Sequence, residues 1–306
     1  MDKLADNVTG LYGTEWATSS TFPKSDYVLK EGRPVGLVRG LTADGFYTTD
    51  DFTYENGVYT LKEGVADVSS AVFPNYHLHN GMNERPAGQL AYPGMAKFKD
   101  LNDDGIINDD DVDVIGDMTP VHTGGFNINA TYKNFDLGLY FNWSYGNEIY
   151  NVNKLAALYG YKEGAVYENK LSIVKDCYKI YDVVNGELVA LTTPEQLNAA
   201  NANAKLPLAY SENGYVSTLG IEDGSYLRLN TLTLGYTLPK SMLQKAGISN
   251  LRVYGRIYKV FTITGYSGID AEVSTSTSTK TYPQLGMDWG TYPRARSFVL
   301  GVNLSF

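Results

Sequence analysis

Asp100, Asn102, Asp104, Asn108 and Asp111 place side-chain oxygens at positions 1, 3, 5, 9 and 12 of a twelve-residue stretch, with Gly105 at position 6 and Ile107 at position 8. That is the spacing a calcium loop needs. Ca²⁺ is a hard cation that takes about six to eight oxygens at roughly 2.3–2.6 Å. Asp100, Asn102 and Asp104 alternate along the chain, so their side chains can converge on one side. Gly105 permits the sharp turn, and the carbonyl of Ile106 supplies the position-7 oxygen. Asn108 binds directly or through water, and Asp111 closes the loop. Six carboxylates fall between Asp100 and Asp111, and so many like charges in a short span favour a counter-ion. The competing reading is an Asp/Asn-rich surface turn without an ion. Tyr92–Lys99, just before the loop, reads as a strand and not as an amphipathic helix, so the expected ion is structural and not a switch.

Little else in the chain suggests reaction chemistry. His77 and His79 form His-x-His with Glu84 nearby, but no third ligand has zinc spacing, so exposed histidines are the better reading. No nucleophile–base constellation or phosphate-binding glycine loop stands out, and an enzyme is not expected. The single Cys177 excludes an internal disulfide framework and reads as a buried small hydrophobe. A formal net charge of −9 argues against nucleic-acid binding.

The elements that would position the loop are strands. The 306 residues include 25 tyrosines and 31 glycines, a composition that suits turn-rich β architecture. Tyrosine also suits membrane interfaces, where one end of the ring stays wet. No run of 18 apolar residues exists, so no transmembrane helix is expected. Met1-Asp-Lys-Leu-Ala-Asp-Asn is not a signal peptide, so the chain reads as cytosolic or as a mature or partial piece of an exported protein.

Period-2 patterning is clear over Phe126–Tyr132 and Phe135–Tyr145, joined by the tight turn Lys133-Asn134. Phe135, Leu137, Leu139, Phe141, Trp143 and Tyr145 share one face. The second strand has the length needed to cross a bilayer at a tilt. Over Tyr226–Leu238, Leu232, Leu234, Tyr236 and Leu238 share a face while Leu227 and Leu229 fall on the other parity, which predicts a bulge near Asn230–Thr231. Ser241–Gly247 reads as a short helix stopped by glycine. Leu251, Val253, Gly255, Ile257, Lys259, Phe261 and Ile263 form a further apolar face broken by Lys259, with Arg252, Tyr254, Arg256 and Tyr258 opposite. Phe298, Leu300, Val302, Leu304 and Phe306 form the last. About eight strand candidates are present in all. Thr48–Leu90, Gly146–Asp223 and Gly265–Gly290 read as long polar loops, with a helix around Asn169–Tyr181 and a mobile tip at Ser274–Thr279. Short turns at one end and long loops at the other fit an outer-membrane barrel.

The twelve-residue loop is similar to dockerin-type loops, in which a shorter residue replaces the closing Glu of an EF-hand. The whole chain resembles the C-terminal part of SusC/RagA-type TonB-dependent outer-membrane transporters of the Bacteroidota. Five landmarks stand in family order. They are Leu29-Lys-Glu-Gly-Arg-Pro-Val-Gly36 with Ala43-Asp-Gly-Phe46, then Pro93-Gly-Met-Ala-Lys-Phe-Lys-Asp-Leu-Asn-Asp-Asp-Gly105, then Thr123-Gly-Gly-Phe126 leading to Ser144-Tyr-Gly-Asn147. Glu222-Asp-Gly-Ser-Tyr-Leu-Arg-Leu229 with Thr233-Leu-Gly-Tyr-Thr-Leu-Pro239 follows, and Tyr292-Pro-Arg-Ala-Arg-Ser-Phe298 ending in Leu304-Ser-Phe306 closes the series. Lys259-Val-Phe stands where the family has Asn-Leu-Phe, and Ala295 where it has proline.

The resemblance implies an all-β fold, the C-terminal part of a large antiparallel transmembrane β-barrel with long extracellular loops. Residues 1–306 are expected to be that segment, roughly a third of a barrel of about 22 strands, with the calcium-type loop at 100–111 and no plug domain. It implies location in the cell outer membrane, contact with outer-membrane lipid, and import of oligosaccharide or peptide cargo. Import would be powered through TonB by way of the missing N-terminal part, with a SusD-like surface lipoprotein as lid. Tyr159, Tyr161, Tyr167, Tyr210 and Tyr215 are loop aromatics able to stack on sugars. The alternative is a soluble, calcium-stabilised β-sandwich that binds glycans, whose apolar strand faces meet each other in place of lipid. A complete small eight-strand barrel would need a long alternating segment in Met1–Thr21, and none is there.

Overall fold

The computed structural model describes residues 15–16, 25–73, 85–159, 171–209, 216–244, 247–274, 284–292 and 294–306. Its central feature is a five-stranded antiparallel meander: β1 (His122–Tyr132), β2 (Phe135–Tyr145), β3 (Tyr226–Thr237), β4 (Asn250–Thr264) and β5 (Ser297–Ser305), hydrogen-bonded in that order. β1 and β2 close through Lys133-Asn134, and Lys133 takes a left-handed φ of 54° to make the two-residue turn. Tyr132 then pairs with Phe135 and His122 with Tyr145.

The bulge lies where the sequence predicts it. Leu229 pairs with Phe261 and Thr231 with Tyr258, leaving Asn230 opposite Lys259 and Val260. A slip of one residue would turn every side chain beyond it to the other face. Here the extra residue has the opposite effect and corrects a mismatch of parity, so Leu227 and Leu229 join Leu232 and Leu234 on one face, paired with Trp143, Phe141, Leu139 and Leu137 of β2. Lys259 does not interrupt that face. Its left-handed φ of 54° turns the side chain away, toward Asp270.

Cross-strand pairs extend the apolar face over the whole sheet. Phe126 and Ile128 of β1 lie beside Phe141 and Leu139, and Val253 and Ile257 of β4 lie beside Val302 and Phe298 of β5. Much of this face is open, with Phe298 and Leu300 at 71% and 88% exposure. The other face carries Asp136, Asn142, Arg228, Thr233, Arg252, Tyr254 and Arg256. Antiparallel strands with clean alternation are free to face different environments on their two sides.

The described segments outside the meander are not loose loops. The described residues of 25–118, 146–220 and 284–289 form a cap with one continuous hydrophobic core that includes Tyr27, Tyr47, Tyr59, Tyr92, Met95, Tyr150 and Leu155. Buried tyrosines need partners for their hydroxyls, and three of these find a backbone carbonyl elsewhere in the cap. Tyr27 donates to the carbonyl of Leu285 at 2.7 Å, Tyr47 to Ala66 at 2.6 Å and Tyr59 to Thr192 at 3.0 Å.

Several expectations change in detail. Where about eight strand candidates are expected, five long strands form one sheet among the described residues and the remaining strands are short. Leu37–Gly40 and Ala96–Phe98 are short strands buried in the cap. The helix expected around 169–181 is a 3₁₀ turn, Ser172–Asp176, with 169 and 170 outside the described residues. Lys240–Leu243 is helical, and residues 245–246 lie outside the described set. So do residues 275–279 of the Ser/Thr tip.

Candidate functional site

Three features could carry function, and the calcium-type loop is the first. It leaves the cap strand Ala96–Phe98 and returns through Ile106–Ile107, which pairs in parallel with Asp67–Val68. Ile107 is fully buried and anchors the loop in the cap core. Asp103 and Gly105 take left-handed φ values of 59° and 83°. Nothing lies within 4 Å of a side chain built on Gly105, so glycine is needed there for its backbone freedom and not for space.

Asn102 and Asp104 are exposed, Asp100 is half-buried, and all three turn onto the loop's own backbone. Asp100 accepts from the Gly105 N–H at 2.7 Å, Asn102 from Asp104 at 3.0 Å and Asp104 from Ile106 at 2.8 Å. Asn108 caps the following 3₁₀ turn, accepting from the Asp110 N–H at 2.7 Å, and its amide nitrogen donates to the Ile106 carbonyl at 3.2 Å. Asp111 is fully buried and braces the neck, accepting from Leu101 at 2.7 Å and Asn108 at 2.8 Å. Among the described residues, no three His, Cys, Asp or Glu side chains converge closely enough to hold a metal ion. The loop therefore has the donor types and turn of a calcium site, with its carboxylates engaged by N–H groups.

The second feature is the polar face of the sheet. Arg252 forms a two-point pair with Asp136, with Nε at 2.9 Å from the carboxylate. Arg256 donates to Thr233 at 3.0 Å and to the Tyr258 hydroxyl at 3.1 Å. The Arg252 and Arg256 guanidiniums lie 4.9 Å and 5.8 Å from the Tyr254 ring, within cation–π range. The result is a column of alternating arginine and tyrosine along β4.

The third feature is the rim where the sheet meets residues 266–272. Arg228 is almost wholly buried and donates to Thr262 at 2.8 Å, to Glu272 at 2.7 Å and to Asp270. Burial opposes ionisation of Asp270, but the Glu272 N–H and the Arg228 guanidinium outweigh it and hold the carboxyl below its usual range. A cavity of about 350 Å³ lies beside this cluster, and one of about 550 Å³ lies beyond it, lined by Asn142, Trp143, Tyr226, Glu272 and Arg294. Nearby, Glu222 ties rim to cap. Burial opposes its ionisation too, yet bonds from the backbone and hydroxyl of Ser267 and from Lys154 hold its carboxyl low.

The sequence exposes the Arg/Tyr alternation of β4 directly. It gives no sign that Asp270 and Glu272 return from a long loop to meet Arg228. Cys177 is buried, and burial aided by Asp176 pushes its thiol up to about 11, so it is protonated and inert. His77, His79, Glu84, Tyr161, Tyr167, Tyr210 and Tyr215, and the Tyr159 side chain, lie outside the described residues.

A meander of long strands, apolar on one face and polar on the other, with tight connections at one end and a folded cap at the other, is the architecture of a transmembrane β-barrel wall. TonB-dependent receptor P3 of Formosa agariphila is 30% identical over 284 residues, which is 91% of this chain and 23% of the receptor. TonB-dependent receptor SusC of Bacteroides thetaiotaomicron is 33% identical over 136 residues, 42% of this chain and 12% of that protein. The solved RagAB peptide transporter matches 93% of the chain and 24% of its own with a TM-score of 0.58 at 20% identity, and so shares the fold. No family model matches. The chain belongs to the SusC/RagA-type TonB-dependent transporters. It spans about a quarter or less of the length of the curated relatives it matches.

Proposed function

We propose that this chain forms the C-terminal part of the wall, and part of the extracellular cap, of an outer-membrane importer driven through TonB. The continuous apolar face from Phe126 to Leu304 carries this reading, since an open face of that extent suits lipid. The named relatives are receptors and transporters, which agrees with a role outside catalysis. An oligosaccharide or a peptide is the expected cargo. The full-length protein should fractionate with the outer membrane, and cargo uptake should vanish in a strain lacking TonB. Uptake undiminished in that strain would overturn the reading.

A SusD-like surface lipoprotein is the proposed partner. The hairpin Tyr181–Val184/Glu187–Ala190 offers it a contact, because the paired residues Val183 and Leu188 are 65% and 69% exposed on the cap. Removing residues 160–215 would be a poor test, since Tyr178, Leu197 and Leu208 belong to the cap core. Val183→Ser with Leu188→Ser spares that core and should weaken co-purification of the lipoprotein. Full recovery would exclude the hairpin as the contact.

A structural calcium ion at Asp100–Asp111 is the remaining part of the proposal. The donors would be Asp100, Asn102, Asp104, the Ile106 carbonyl, Asp111 and, directly or through water, Asn108. The support is the order and type of the oxygens on a loop whose backbone already makes the turn. Each carboxylate oxygen that accepts one N–H keeps a second lone pair. The ion would offset the crowding of like charges and stiffen the link between the cap and β1.

A further inference from the structure

The smaller rim cavity has more positive charge than the chain neutralises. Arg228, Lys259, Arg294 and Arg296 line its roughly 350 Å³ against the single carboxylate of Asp270. This excess stands out in a chain with a formal net charge of −9. Arg228 is saturated by Asp270, Glu272 and Thr262, and Arg294 shares Glu272 at 3.1 Å. Lys259 has only a long ion pair to Asp270, a carboxylate already engaged by Arg228, and Arg296 is left over. The Lys259 ammonium is buried, has no hydrogen-bond partner, and its nearest carboxylate, Asp270, is 3.8 Å away. Arg296 donates Nε to the Lys259 carbonyl at 3.1 Å and makes no ion pair among the described residues. A buried ammonium without hydrogen bonds is costly unless an anion compensates it.

We infer that this cavity is a subsite for the acid group, carboxylate or sulfate, of an anionic ligand, held between the Lys259 ammonium and the Arg296 guanidinium. Guanidinium and oxyanion match as a two-point pair, and the Thr262 hydroxyl, which accepts from Arg228, has its proton left to donate. The volume suits an acid group with one sugar or amino-acid unit behind it. The cavity lies at the cap end of the sheet, where cargo would arrive. The inference rests on the import reading and deepens it, because it makes the cargo anionic.

The test uses the full-length transporter in detergent and two anions that carry a methyl reporter, acetate and methyl sulfate, with neutral acetamide as control. Saturation transfer from protein to the methyl protons should be seen for at least one anion and not for acetamide. Transfer to acetate alone assigns a carboxylate subsite, and transfer to methyl sulfate alone assigns a sulfate subsite. Lys259→Met and, separately, Arg296→Gln should each weaken binding about tenfold, the scale of one charge-assisted hydrogen bond. Lys205→Gln, an exposed cation of the cap outside the cavity, should leave binding unchanged. No transfer to either anion above acetamide, or binding retained in both cavity variants, overturns the subsite. Heat-modifiable migration in electrophoresis reports the barrel separately. An intact barrel without anion binding overturns the subsite alone, whereas failure to form a barrel overturns the import reading with it.

Discussion

Leu229 and Leu232 stand on the same face of β3 although three positions separate them. Leu229 pairs with Phe141 and Leu232 with Leu139, two residues apart on β2, and Asn230 bulges between them. The bulge joins two apolar half-strands of opposite parity into one surface.

Deleting Asn230 should therefore be far more harmful than replacing it. Without the extra residue, either Leu227 and Leu229 or Leu232 and Leu234 must turn to the polar face. The deletion should abolish heat-modifiable migration of the full-length protein, while Asn230→Ala should retain it. Normal migration of the deletion variant would show that the register is set elsewhere.

Lipid contact can be tested by charge. Arginine at Leu139 should cost about 2–4 kcal/mol if that position lies near the bilayer midplane. Arginine at Asn142, on the opposite face, should cost much less. Unfolding titrations in lipid vesicles compare the two, and equal costs would favour a sandwich whose apolar faces meet each other.

The calcium proposal predicts that chelation raises hydrogen exchange over residues 95–118 while β1–β5 stay protected. Asp104→Ala should reproduce this in the presence of calcium, because it removes a central oxygen and buries nothing new. Exchange that is the same with and without calcium would leave the loop as a self-bonded turn.

Glu222 gives a pH dependence with a defined sign. Its folded carboxyl is held low, so the stability it contributes is fully present above the ordinary glutamate value of about 4.3. It is lost as pH falls through the lower folded value. Protection of the Ser267 N–H, which donates to Glu222 at 2.9 Å, should fade over that acid range. In Glu222→Gln the same amide should be less protected at neutral pH and nearly indifferent to acid.

The sheet was legible in the sequence because alternation is a local signal. Both strands of the first hairpin, its two-residue turn and the Asn230 bulge all follow from residues within a few positions of each other. The turn within residues 100–111 was legible for the same reason, down to the left-handed backbone of Gly105. The cap was not. Its segments read as polar loops in part because many of its largest buried side chains are tyrosines, which look amphipathic in isolation. The hydroxyls of Tyr27, Tyr47 and Tyr59 are satisfied by carbonyls of Leu285, Ala66 and Thr192, which no local pattern reveals. The Arg228–Asp270–Glu272 cluster was hidden likewise, since Arg228 lies more than 40 positions from both carboxylates.

The bond from Tyr27 to Leu285 spans 258 positions, and this has a consequence for biogenesis. Contacts so distant in sequence form late, after the intervening chain has been ordered. The part of the cap around Tyr27 therefore cannot close as it emerges, although local pieces such as the hairpin Phe52–Glu55/Val58–Leu61 can form on their own. Its distant pieces must wait, unassembled, until the strands between them have found their places. Tyrosine suits that wait. Its hydroxyl keeps an unassembled segment wetted, where leucine or isoleucine would invite aggregation during the delay. The same ring then supplies apolar area once its distant acceptor arrives.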